Sequence, residues 1–327
     1  MASEAASNEA FARIPSPSRI NETNQRREMT HGDVLRSIDV TAKRVAIVSI
    51  GGGADVVIAK AIALSMMREG AISVDIVQTK ARSMLDREET LQDLVELQLA
   101  KVGTFGECEF LEYLTTVHNA VRDAKARTRG KRLAAALTWQ NGRRFYAAGR
   151  SPAWREFIRS GGGQGYPYET VVCVDGGGDV LGVDEDSDIK VLKHIEQCLP
   201  SESQLFLYVV GMGADGTPIE MFKDAVLEGW SQVSEGRLQD GFADDLESCL
   251  RETSCWLDEP LDWDKPGSLW SYGLNVPQIV SLAIRDMFPF MRPLDGIVTF
   301  PRRNRLIEMR ADWLRSARLY RRNSATT

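Results

Sequence analysis

Arg44-Val-Ala-Ile-Val-Ser-Ile-Gly-Gly-Gly-Ala-Asp-Val-Val57 decides the fold. Six residues from Val45 to Ile50 form a short continuous apolar run that ends in three glycines, the pattern of a strand buried on both faces. Val56 to Arg68 then carries apolar residues at helical spacing, and Ile72-Ser-Val-Asp-Ile-Val77 reads as a second strand. A strand, a helix and a strand in that order make a right-handed β-α-β unit.

The same grammar recurs outward from this unit. Thr170-Val-Val-Cys-Val174 and Leu205-Phe-Leu-Tyr-Val-Val210 are further buried-strand runs, with a helix expected over Ser187–Cys198 between them. Helical spacing is also read over 88–129, broken near Gly103 and Gly106, and over 218–233, 242–252, 277–287 and 304–319. A strand is expected at Leu133–Thr138, then a long loop containing Gly161-Gly-Gly-Gln-Gly165, and a last strand at Gly296–Phe300. Residues 1 to about 40 are rich in Ser, Asn, Glu and Arg without an apolar period, so a disordered leader is expected there. The expectation is a single α/β domain over 41–327, built as a mostly parallel, Rossmann-like three-layer sheet with flanking helices.

Three strands end alike. Ile50 is followed by Gly51-Gly52-Gly53-Ala-Asp55, Val174 by Asp175-Gly-Gly177-Gly178-Asp179, and Val210 by Gly211-Met-Gly213-Ala-Asp215-Gly216. Ligands of open parallel sheets bind outside the carboxyl ends of the strands, so the three loops are expected on one pocket. Glycines allow backbone N–H groups close to a ligand, and the helix that follows favours an anion such as phosphate. A carboxylate repels a bare phosphate. Asp55, Asp179 and Asp215 therefore read as Mg²⁺ ligands, as partners of a ligand's hydroxyl or amino groups, or as helix caps. Asp175, Asp179 and Asp215 form the expected metal set, with Asp188 a further candidate at the start of the next helix. Asp55, Asp179 and Asp215 are the candidates for acid or base work, because clustered carboxylates raise one another's pKa.

Other chemistries fit poorly. The first loop lacks the third glycine of a dinucleotide fingerprint, and the second strand ends in Gln78 where an acidic residue would meet a ribose. No GxxxxGK[ST] and no GxSxG occurs. The three histidines, His31, His118 and His194, lie at no ligand spacing, so any metal is expected on oxygen. His194 is the histidine nearest the second loop in sequence. Five cysteines, unpaired in pattern, suit reduced thiols of a cytoplasmic protein. A net charge of -6 argues against nucleic acid as partner. No run approaches the roughly 18 apolar residues of a membrane span. Arg302 and Arg303, after the last strand, could reach an anion in the same crevice. Arg310, Arg315, Arg318, Arg321 and Arg322 read as a solvated helix face.

Ile50-Gly-Gly-Gly-Ala-Asp-Val-Val57, Val174-Asp-Gly-Gly-Gly-Asp-Val-Leu181 with Asp188, and Gly211-Met-Gly-Ala-Asp-Gly216 together resemble the DUF1152 proteins, a family of uncharacterised function. The resemblance runs from about Arg44 to Glu228 and more faintly to Arg310. Ala54 stands where that family tends to have a further glycine, and Thr217 where an acidic residue is common, with Glu220 close by. The resemblance implies a shared α/β fold and site but no reaction. The leading expectation is an enzyme acting on a phosphorylated or nucleotide-like small metabolite with Mg²⁺. The alternatives are a non-catalytic small-molecule-binding or sensing protein, and an interaction protein or exported effector, for which the polar leader could serve as an export signal. Oligomeric state is not legible.

Overall fold

The computed structural model describes residues 29–50, 53–78, 100–105, 108–113, 145–148, 154–162, 164–181, 187–222, 227–257, 275–287, 296–302 and 305–323. The expected strand at 133–138 and residues 1–28 lie outside them.

The apolar runs form the strands anticipated: β1 Arg44–Ser49, β2 Ser73–Gln78, β6 Thr170–Gly176 and β7 Gln204–Val210. They are adjacent and parallel, in the order β2-β1-β6-β7. Burial on both faces explains their composition. Val45 and Ile47 of β1, Val172 and Val174 of β6, and Phe206, Tyr208 and Val210 of β7 face one apolar layer. Ala46, Val48, Val171, Cys173, Leu205, Leu207 and Val209 face the other. The first layer is completed by α2 Gly53–Arg68, α5 Asp240–Leu257 and α6 Asn275–Ile284, the second by α3 Trp154–Ser160 and α4 Ser187–Cys198. The result is a three-layer, mostly parallel Rossmann-like sheet, nine strands wide among the described residues.

The edges differ from the sequence reading. Residues 100–105 and 108–113, read as helix, pair as the antiparallel hairpin β3–β4, beside β5 Phe145–Ala148 in what was read as loop. Gly103 disfavours a helix there, while Thr104, Phe105, Phe110 and Tyr113 favour strand. The helix expected over 218–233 is a 3-10 turn, Ile219–Phe222, followed by β8 Trp230–Arg237. The closing helix expected over 304–319 is instead β10 Arg305–Arg310, a single helical turn Ala311–Leu314, and β11 Ser316–Arg322. Strand β11 inserts antiparallel between β7 and β8. The strand expected at 296–300 is β9 Ile297–Arg302, which among the described residues pairs with β10 in a separate two-stranded sheet.

Part of the expected leader is structured. Thr30 caps α1 His31–Arg36 through a reciprocal capping box with Asp33. Val34, Leu35, Ile38 and Val40 are buried in the first apolar layer, so residues 29–40 belong to the domain. Among the described residues no helix is long and apolar enough to cross a membrane.

Candidate functional site

Because β1, β6 and β7 are parallel neighbours, their carboxyl ends lie side by side. Gly51 and Gly52 fall outside the described residues; Gly53 opens α2. Asp55, in the first turn of α2, accepts the Gly176 N–H at 3.0 Å, which ties the first loop to the second. Glycine at 176 suits this contact: a Cβ there would push on Ile58 Cδ1 and stand 3.0 Å from Asp55 Oδ1.

The second and third loops meet at Gly177. Its φ of +111° suits glycine, and a Cβ would lie 2.5 Å from the Cβ of Asp215. Its N–H donates to the Val210 carbonyl at 3.0 Å, and its own carbonyl accepts from Gly213 at 2.6 Å. Gly178 lies between Met212 and Phe222, and Gly211 packs against Val280. Gly216 closes the third turn by donating to the Gly213 carbonyl at 2.9 Å. The loops therefore gather at one edge of the sheet.

At their centre is Asp175, wholly buried. Its Oδ2 accepts the Val180 N–H at 3.2 Å, while its Oδ1 has no hydrogen-bond partner among the described residues. Asp55 and Asp188, each 3% exposed, bring carboxylate oxygens to within 4.8 Å of those of Asp175 and of each other. Burial is the main force that holds the Asp175 carboxyl well above its usual pKa, and the charges of Asp179, Asp55, Asp188 and Asp215 add to it.

Asp188, a further candidate in the sequence at the start of its helix, thus joins the innermost group. Asp179 and Asp215 lie half-buried around it. Asp179 begins the 3-10 turn Asp179–Leu181. Asp215 is engaged in its own turn, accepting the Thr217 N–H at 3.0 Å and its hydroxyl at 2.6 Å. Glu220 is exposed. His194 is exposed on α4, with its Nε2 4.0 Å from Cys198 Sγ. The side chain of Arg302, and Arg303, lie outside the described residues. The sequence reading passed over Lys60, a buried and partnered ammonium on α2, although a lone lysine in Val56-Val-Ile-Ala-Lys-Ala-Ile-Ala63 was a visible signal.

Three buried carboxylates so close repel one another and are costly in an apolar surround unless a cation or protons compensate. Mg²⁺ holds oxygens at about 2.1 Å, so opposite ligands stand roughly 4.2 Å apart. A group spanning 4.8 Å fits such an ion after slight closure. The orphaned Oδ1 of Asp175 is the atom this fit accounts for.

No protein-family model matches the chain, and no curated protein matches it. Among solved structures it is similar to a crystal structure of coclaurine N-methyltransferase bound to N-methylheliamine and SAH. The two share 9% identity and a TM-score of 0.27, over 87% of this chain and 69% of that one. A likeness at that level carries no function.

Proposed function

We propose that the chain is an enzyme acting on a phosphorylated or nucleotide-like small metabolite, with Mg²⁺ held by Asp55, Asp175 and Asp188. The observation that supports this is the buried, unpartnered Oδ1 of Asp175 at the meeting point of three glycine-bearing strand ends. A bound divalent ion would supply charge for polarising a phosphoryl oxygen. Asp175 spends one oxygen on the Val180 N–H, which fixes the carboxylate plane and leaves its Oδ1 to the centre, while Asp55 is oriented by the Gly176 N–H. Asp179, half-buried at the rim, is the carboxylate a ligand meets from solvent, and we assign it the general acid or base role. Asp215, held in its turn by Thr217, shapes the third loop rather than ligating.

Thermal unfolding with and without Mg²⁺ tests the site, since a ligand of the native state raises apparent stability. Wild type should gain several degrees at millimolar Mg²⁺, and the Asp175→Asn and Asp188→Asn variants should gain none. A panel of phosphate esters and nucleotides, assayed for phosphate release or transfer with Mg²⁺ and with EDTA, then tests catalysis. Stabilisation by Mg²⁺ without metal-dependent turnover would favour the sensing reading. A Mg²⁺ response that survives in Asp175→Asn would remove the site.

A further inference from the structure

The arginines after β9, read from sequence as one solvated helix face, do not form one. Because the segment is strand, turn and strand, Arg310, Arg315 and Arg318 come instead to a cavity of about 850 Å³, with Trp313 in its wall. The cavity lies at the sheet edge that carries the glycine loops. Ser316, in its wall, accepts the Gly211 N–H through its carbonyl and pairs with Arg237 at the end of β8.

Each of these three arginines has an acidic partner, and the burial within the pairs is uneven. Arg315 is 14% exposed while its partner Asp286 is 67% exposed; Arg318 is 19% exposed against 41% for Glu235. Arg310 pairs at 2.6 Å with Asp312, both largely in solvent. The Arg310 and Arg318 guanidiniums also lie 5.0 and 5.8 Å from the centre of the Trp313 ring, which helps to hold them in place. Two guanidiniums are therefore sunk in the wall, and their counter-charges sit at the rim, where water makes such pairs weak and exchangeable. A guanidinium fork matches phosphate oxygens in two parallel hydrogen bonds.

We propose that this cavity is a binding site for the phosphate group of a small molecule, with the phosphate displacing the rim carboxylates from Arg315 and Arg318. The site is separate from the aspartate centre and does not depend on the metal reading. A ring edge joins the two regions: Phe222, next to Gly178 of the second loop, meets Trp313 edge-on at 5.7 Å.

The test is calorimetric titration of the full chain, without divalent metal and at fixed ionic strength, with inorganic phosphate and with phenyl phosphate. Saturable binding with a Kd below about 1 mM is expected for at least one of them. Phenyl phosphate binding tighter assigns the site to an organic phosphate, and inorganic phosphate binding tighter assigns it to the free ion. Arg315→Gln and Arg318→Gln should each weaken binding about tenfold, whereas Arg321→Gln, which removes the same charge from an exposed position on β11, should change it less than twofold. Asp286→Asn leaves every cation in place and removes a competitor, so it should tighten binding by up to about fivefold. Asp175→Asn should leave phosphate affinity unchanged, which separates this proposal from the metal site. Absence of saturable binding, equal losses in Arg318→Gln and Arg321→Gln, or weaker binding in Asp286→Asn would overturn it.

Discussion

The two halves of the sheet handle polar groups in opposite ways. In β1, β6 and β7 both faces are apolar along their length, so charge is pushed to the strand ends, where Asp55, Asp175 and Asp188 crowd together. In β11 and β8 charged and polar residues are interleaved with buried ones, so charge is spread along the strands and paired, as in Arg318 with Glu235 and Arg322 with Glu196. The first arrangement concentrates carboxylates at a single point. The second disperses charge into pairs that are individually weak. Concentrated charge must be balanced by a cation or by protons, which is why the parallel half carries the candidate metal site.

The comparison breaks most severely if the parallel half does not need its flank. α1 and the residues after it contribute Val34, Leu35, Ile38 and Val40 to the layer shared by both halves, and each buried side chain is worth about 1.5–3 kcal/mol. Deleting residues 1–40 should abolish cooperative unfolding, since the loss rivals a whole domain's stability of about 5–15 kcal/mol. Deleting only residues 1–28, whose sequence shows no apolar period, should leave Tm unchanged. Circular dichroism melts of the two truncations decide this, and a folded 41–327 chain would show that the halves are independent.

A smaller break is local to the loops. Gly176→Ala places a methyl group against Ile58 and Asp55, an overpacking that should cost about 1–3 kcal/mol. Urea unfolding measures it. An unchanged midpoint would mean that α2 can move away from β6, and that the first two loops are not locked together.

The third prediction sharpens the contrast, because the flank has a buried titratable group with the opposite linkage to Asp175. His31 is packed on Phe242 with ring centres 4.4 Å apart and is hydrogen-bonded through Nδ1 to the Tyr208 hydroxyl at 2.6 Å. Burial, with a smaller contribution from the Arg68 charge, lowers its pKa from 6.5 to about 3. Between those values the unfolded chain binds the extra proton, so stability rises with pH across the window and falls as pH drops below 6.5. The slope is about 1.4 kcal/mol per pH unit. Asp175, with its pKa raised, becomes more favourable as pH falls through that pKa. Stability measured from pH 7 to 4.5 in wild type and in His31→Gln isolates the histidine. Parallel curves would show that His31 is not held neutral.

What the sequence disclosed follows the same division. Val45–Ile50, Thr170–Val174 and Leu205–Val210 were legible as strands because an unbroken apolar run of that length has few other uses. Strand β8 was not, since its inward positions after Trp230 include Ser234 and Gly236, which leave no apolar alternation to read. In Leu314-Arg-Ser-Ala-Arg-Leu-Tyr320 the spacing of Leu314, Ala317 and Tyr320 fits a helix stripe while that of Ala317 and Leu319 fits a strand, and only the partner strands decide. At the site, the convergence of the loops was legible from the repeated strand ends. The rank of the aspartates was not, because burial separates Asp175 and Asp188 from Asp179 and Asp215, and burial is a property of packing.

That ranking makes the last and smallest prediction. Asp215 was expected from sequence among the metal ligands, but both its oxygens accept from Thr217, one from the N–H and one from the hydroxyl. An Asx turn of this kind needs an acceptor, not a charge. In Asp215→Asn the amide oxygen can still accept the Thr217 N–H, and the rotatable Thr217 hydroxyl can turn to accept from the new NH₂ group. Stability should therefore change by less than about 0.5 kcal/mol, whereas Asp215→Ala loses the turn and should cost about 1 kcal/mol. The Mg²⁺ thermal shift should persist in Asp215→Asn, in contrast to its loss in Asp175→Asn. If instead Asp215→Asn alone abolished the shift, the third loop would supply a ligand directly, and the metal centre would have to move from the α4 side of the cluster toward β7.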